Sequence, residues 1–128
     1  MKEGKEPVLS ARGLVKKFQE HVAVNEVSFD LYAGEVVGFI GANGAGKTTT
    51  MRMLVGLEVP DAGEVKVCGY TVVDQPQEVR RLVGWMPDAF GTYKDVSVVE
   101  YLDFYARLAG LKGEVRKERL TEVLDFSG

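Results

Sequence analysis

VVGFIGANGAGKTTT, residues 36–50, joins a continuous apolar run to a glycine-rich turn and then to a run of polar residues with helix-forming character. The apolar part has the pattern of a strand buried on both faces in a parallel sheet. The turn GANGAGKT, residues 41–48, has the spacing G-x-x-x-x-G-K-T. A triphosphate concentrates negative charge in a small volume and needs many donors at short range. Glycines let successive backbone N–H groups converge on one concave nest. Gly41, Gly44 and Gly46 permit that path, and Asn43 and Ala45 lie inside the loop as further candidate binding residues. The helix expected over Lys47–Val55 adds its positive N-terminal end. In this motif Lys47 reaches the β- and γ-phosphates, the Thr48 hydroxyl is the expected Mg²⁺ ligand, and Thr49 is placed for the α-phosphate. Strand, loop and helix in this order are the setting in which the motif is functional, so the chain is expected to bind a nucleoside triphosphate with Mg²⁺.

Working outward, residues 1–7 form a polar lead-in. Val8–Phe18, Val22–Asn25 and Val27–Leu31 read as strands separated by turns at 19–21 and near Glu26, and Ala33-Gly34 is a further turn. They suggest an antiparallel patch. After the loop and its helix, VPDAGE (59–64) has turn chemistry and 64–69 alternates as a strand. Gln75–Leu82 fits a short helix with Pro76 in its first turn, and LVGWM (82–86) repeats the buried-strand pattern. Cys68 and Trp85 are read as buried strand residues. Beyond Asp88 the pattern is helical. Ser97 and Glu100 form a capping box before an apolar stripe of Tyr101, Leu102, Tyr105, Leu108 and Ala109. A second helix is expected over Glu114–Phe126, with Val115, Leu120, Val123 and Leu124 apolar. Tyr101, Phe104 and Tyr105 are read as packing residues, and Arg116–Arg119 as a solvated charged face.

The 128 residues suffice for one core, and 45% apolar and 27% charged residues are ordinary for a globular chain. A net charge of −3 provides no general field for nucleic acid, and no nucleic-acid partner is expected. The longest apolar run, Val36–Ala42, is far too short to span a membrane, and MKEGKEP does not open a signal peptide. A single cysteine allows no internal disulfide.

The flanks of the loop discriminate among phosphate-loop families. GLVKKF (13–18), residues 23–70, RRLVGWMPD (80–88) and residues 93–111 closely resemble the ATP-binding domain of ABC transporters. The resemblance implies an α/β fold: a P-loop NTPase core, an N-terminal antiparallel β patch, and the start of a helical subdomain. Residues 1–88 would hold the patch and core, and 89–128 the beginning of the helical part. It also implies ATP as ligand, with Phe18 stacking on adenine and Val24 beside the ribose and base. Asp88 falls where the family has a glutamine that contacts Mg²⁺ and senses the γ-phosphate. A carboxylate can still bind a hard cation, although it adds charge beside the triphosphate. Lys47 and Asp88 are thus the candidate catalytic residues, and Thr48 and Asp88 the candidate metal ligands. Residues 89–96, including Tyr93, resemble the surface that receives a membrane subunit's coupling helix. His21, at a hairpin tip, is not the family's switch histidine.

The resemblance implies further partners. These are a membrane-spanning transporter subunit and a second ATP-binding domain, as a homo- or heterodimer on ATP, with the protein on the cytoplasmic face of the membrane. The family also uses an LSGGQ-type signature, a Walker B strand ending in Asp-Glu, and a switch histidine. None is found in these residues, and Phe126-Ser127-Gly128 is not a signature. The expectation is therefore the N-terminal part of a longer ABC ATPase domain that supplies one half-site and does not turn over ATP alone. Two other readings stand beside it: a soluble ABC protein acting on ribosomes or DNA, and a non-catalytic nucleotide-binding fragment. A GTPase is disfavoured, since no Asn-Lys-x-Asp guanine reader is present.

Overall fold

The computed structural model describes residues 4–89, 91 and 93–128. The chain folds as two compact units, Met1–Trp85 and Met86–Gly128.

In the first unit, strands β1 (Leu9–Phe18) and β2 (His21–Leu31) form a long antiparallel hairpin closed by the turn at Gln19-Glu20. The two short strands expected between 22 and 31 are one strand. Glu26 adopts a positive φ of 52°, and the register shifts nearby absorb the irregularity without ending the ladder. Strands β3 (Ala62–Val67) and β4 (Tyr70–Thr71) complete a four-stranded antiparallel sheet in the order β2-β1-β3-β4. Gly63 is obligatory in β3. Its φ is 90°, and a Cβ there would lie 2.4 Å from the Gly13 carbonyl oxygen on β1. Helix α1 (Lys47–Leu54) turns Thr50, Met53 and Leu54 inward. Met53 joins Ala11, Leu14, Val24, Val65, Val67, Val72 and Val79 in one apolar cluster. Val79 comes from α2 (Pro76–Leu82), which has Pro76 in its first turn as expected.

The structure corrects several expectations. Residues 36–40 belong to no ladder; Val36 and Ile40 are fully exposed, and Phe39 packs edge-to-face with Phe29 at 5.2 Å. Residues 83–87 are also irregular, and Trp85 and Met86 are exposed. Both stretches have the composition of strands buried on two faces. Such strands are stable only with ladder neighbours and covering layers, and neither stretch has these among the described residues. Cys68 is exposed in the β3–β4 turn with φ 47° and is not a buried strand residue.

The second unit contains α3 (Val98–Leu108) and α4 (Gly113–Ser127). The capping box that opens α3 is complete: Glu100 N–H donates to Ser97 Oγ at 3.2 Å, and Ser97 N–H donates to Glu100 Oε2 at 2.8 Å. The buried side of α3 is rotated from the expected stripe. Ala106 is buried and Tyr101, Leu102 and Asp103 are half-buried, whereas Tyr105 and Leu108 are exposed. Polar bonds explain the rotation. Asp103 accepts from Arg107 Nε at 2.8 Å and pairs with Arg116 Nε of α4 at 3.0 Å. Arg116 therefore bridges the helices and does not lie on a solvated face; Lys117 and Arg119 do, paired with Glu114 and Glu122 along α4. The hydrogen bond from Arg107 holds the Asp103 carboxyl below its ordinary pKa.

The backbone N–H of Ser97 likewise holds the Glu100 carboxyl below its ordinary value of 4.5. The contribution of this bond is complete above that value and is lost as pH falls through the lower folded range. Ser97→Ala should cost about 1 kcal/mol of α3 stability. Urea unfolding followed at the α3 tyrosines measures the loss, and the acid limb of the wild-type stability curve should steepen below pH 4.5 relative to Glu100→Gln.

Candidate functional site

The β1–β2 hairpin and the loop before α1 enclose a cavity of about 300 Å³. It is lined by Phe18, His21 and Ala23 from the hairpin and by Asn43, Gly44, Gly46, Lys47, Thr48 and Thr49 from the loop and helix. The hairpin register places Phe18 directly opposite His21, and Phe18 is 46% exposed.

The loop reaches the hairpin at Gly46. This residue is the N-cap of α1, with φ 89° and ψ 12°. A Cβ at this position would lie 2.1 Å from the Ala23 carbonyl oxygen of β2. Only glycine permits both the left-handed backbone and this approach. The Gly46 carbonyl starts the helix, accepting from Thr50 N–H at 2.9 Å and from Thr50 Oγ1 at 2.8 Å. Upstream, Ala45 N–H donates to the Ala42 carbonyl at 3.1 Å and tightens the turn. No side chain caps the first turn of α1, and no acidic residue lies in it. Its leading N–H groups thus face the cavity side without an anionic competitor, which suits a polyanion. The Lys47 ammonium donates to the carbonyls of Gly41 and Ala42, the latter at 3.1 Å, and so is held over the loop. Thr48 is exposed in the first turn, so its hydroxyl is available as a hard-oxygen ligand.

Most of the sequence-derived candidates therefore meet around one cavity. Gly41 and Ala45 shape the turn but do not line it. Val24, expected beside the base, is instead 3% exposed and packed in the core cluster. Its neighbour Ala23 lines the cavity in its place, as alternation along β2 requires. His21 also lines the cavity, a contact that sequence reasoning does not single out. Its place is implicit in the short turn, which forces the residue after Gln19-Glu20 opposite Phe18. Asp88 lies in the second unit, exposed and outside helix and strand.

The second unit has a larger apolar cavity of about 560 Å³. Tyr93, Tyr101, Phe104 and Tyr105 form much of its wall, with Pro87 and Val96. Tyr105 packs against Tyr101 at 4.9 Å and edge-to-face with Phe104 at 5.6 Å. These aromatics touch one another, but Phe104 and Tyr105 stay exposed and all three line an open cavity. The Tyr101 and Tyr105 hydroxyls lie 3.4 Å apart, and this contact raises the Tyr101 phenol above its ordinary pKa. Phe90 and Thr92, within the expected docking segment 89–96, lie outside the described residues, as do residues 1–3 of the lead-in.

Comparison with known proteins is consistent throughout. A family profile described as ABC transporter matches residues 24–127. The chain is 39% identical over 122 residues to a probable multidrug ABC transporter ATP-binding protein, YbhF, of Escherichia coli, covering 94% of this chain and 21% of that protein. It is 38% identical over 124 residues to Nod factor export ATP-binding protein I of Ralstonia nicotianae, covering 97% of this chain and 39% of that one. A solved structure of an ATP-binding subunit of an ABC transporter superposes with a TM-score of 0.74 at 31% identity, covering 84% of this chain and 45% of the other. The chain thus spans between a fifth and two fifths of the length of these two relatives.

Gly46→Ala should separate the loop's seating from its charge. The added methyl collides with the Ala23 carbonyl, so nucleotide affinity should fall at least about tenfold, equivalent to about 1.4 kcal/mol. Gly44→Ala meets no atom within 4 Å and is strained only by its φ of 83°, so it should cost less. Titration with a fluorescent ATP analogue checks the order of the two variants.

Proposed function

The chain belongs to the ABC transporter family of ATP-binding domains, and from that premise we propose that it binds Mg²⁺·ATP in the cavity between the β1–β2 hairpin and the phosphate loop. The whole protein would couple ATP binding and hydrolysis to transport through a separate membrane subunit. The observation that carries this reading is the convergence of a half-exposed aromatic ring, a glycine-built loop, a cationic side chain and a helix N-terminus on one cavity. The ring offers a face for adenine, worth about 1 kcal/mol by aromatic stacking. The loop N–H groups and Lys47 bind the phosphates, for which Lys47 would exchange its bonds to the Gly41 and Ala42 carbonyls. Thr48 would supply one oxygen to Mg²⁺, which commonly takes most of its remaining ligands from phosphates and water. Asp88 is proposed as a second oxygen donor, in the position the family gives to glutamine.

The activating base and the signature are proposed to come from outside these 128 residues, the signature from a second ATP-binding domain. In general, phosphoryl transfer to water relies on a residue that positions the nucleophile. The chain would then hold the triphosphate without hydrolysing it. No helix among the described residues is long and apolar enough to cross a membrane. The aromatic cavity of the second unit is proposed to receive a helix of the membrane subunit, and Tyr93 to be one of its contacts. That contact would hold the protein at the cytoplasmic face of the membrane.

Calorimetric titration with Mg²⁺·ATP, alongside a phosphate-release assay, tests this reading. The wild-type chain should bind ATP weakly and release no phosphate above background. Lys47→Ala should abolish measurable binding. Robust hydrolysis by this chain alone would refute the half-site assignment.

A further inference from the structure

Lys16 stands two residues before Phe18 and outside the set that lines the nucleotide cavity. Its side chain is only 13% exposed. The ammonium lies 5.4 Å from the centroid of the Phe18 ring, within the range of a cation–π contact. It also donates to the Val59 carbonyl at 2.9 Å, pairs with Glu58 Oε1 at 2.9 Å and stands 3.9 Å from Asp61 Oδ1. The Glu58 carboxylate keeps the ammonium protonated well into the alkaline range.

Residues 58–61 are themselves tied to β1. Asp61 N–H donates to the Val15 carbonyl at 2.8 Å, and Lys17 N–H donates to Asp61 Oδ2 at 2.7 Å. This segment also follows the C-terminal end of α1, where the N–H groups of Leu57 and Glu58 donate to the Arg52 carbonyl at 2.8 and 3.2 Å. The cation is thus fixed by the segment that follows the phosphate-loop helix and is hydrogen-bonded to its last turn, and it also lies against an aromatic face at the cavity. A lysine serving only to brace the loop would have no need to lie against that ring.

We infer that Lys16 is a positioning residue for the nucleotide base. Through its contact with the Phe18 ring it fixes the orientation of the stacking face, and through Glu58 and Val59 it links that face to the helix that binds the phosphates. This rests on the proposed stacking of the base on Phe18.

The test compares affinity for Mg²⁺·ATP with affinity for inorganic tripolyphosphate, which has the phosphates and no base. Lys16→Met keeps the length of the side chain and removes the charge. It should weaken ATP about fivefold, the scale of one cation–π contact, and leave tripolyphosphate within about twofold. Lys16→Arg, which keeps a cation for the ring, should restore most of the loss. Equal effects on both ligands, or no effect on either, would overturn the inference. Phe18→Ala separates the two claims. If it leaves the ratio of the affinities unchanged, the stacking reading fails and this inference fails with it. If it changes the ratio and Lys16→Met does not, only the inference fails. Should Lys16→Met not fold, the double variant Glu58→Gln/Asp61→Asn releases the ammonium from its counter-charges and is expected to shift the same ratio in the same direction. An unchanged ratio there counts against the inference equally.

Discussion

The backbone of Gly46 lies against the Ala23 carbonyl, and the functional arrangement of the first unit depends on this approach. A side chain at 46 would push the loop off the hairpin. Without one, the glycine-rich loop and the strand whose first residue, His21, faces Phe18 share a single wall. The left-handed turn at Gly46 also aims α1 so that Thr50, Met53 and Leu54 meet the sheet while Lys47, Thr48 and Thr49 face the cavity. Core packing and ligand geometry are therefore set by the same residue, and the helix divides into a buried side and a working end within eight residues.

The two units differ in what holds them. The first has one continuous apolar cluster between sheet and helices. The second depends more on polar links: a capping box at the start of α3 and a carboxylate, Asp103, shared by Arg107 and Arg116. No residue of α4 is fully buried, and Val115, Val123 and Phe126 are exposed. The open aromatic cavity suits a surface that a partner covers, because an apolar concavity of this kind on one unit exposes area that water solvates poorly.

Much of this is legible in the sequence. The phosphate loop, its helix, the hairpin, the α2 proline and the Ser97–Glu100 cap all rest on local rules, in which residue type and spacing within a few positions decide the outcome. The misread elements depend on distant partners. Residues 36–40 and 82–86 have the composition of buried strands, but composition does not supply a ladder neighbour. The orientation of α3 follows Asp103 and Arg116, whose pairing spans two helices and leaves no periodic trace. Val24 and Ala23 exchange places because a strand alternates strictly: a one-residue difference decides core or cavity. His21 is legible in principle from the turn length, since a two-residue connection fixes which residues face one another.

The sheet order has a consequence for how the site moves. β1 is paired on both sides, so its central amides should exchange with solvent only when the sheet opens as a whole, while β2 and β4 form the edges. The β1–β3 pairing stops at Val15, however, and Phe18 lies three residues beyond it, where its ladder partner is His21 of the outer strand. Phe18 thus sits at the overhanging tip of the most protected strand. Its opening can be a local fraying that leaves the core intact, which separates the exchange of a ligand from the stability of the domain that binds it.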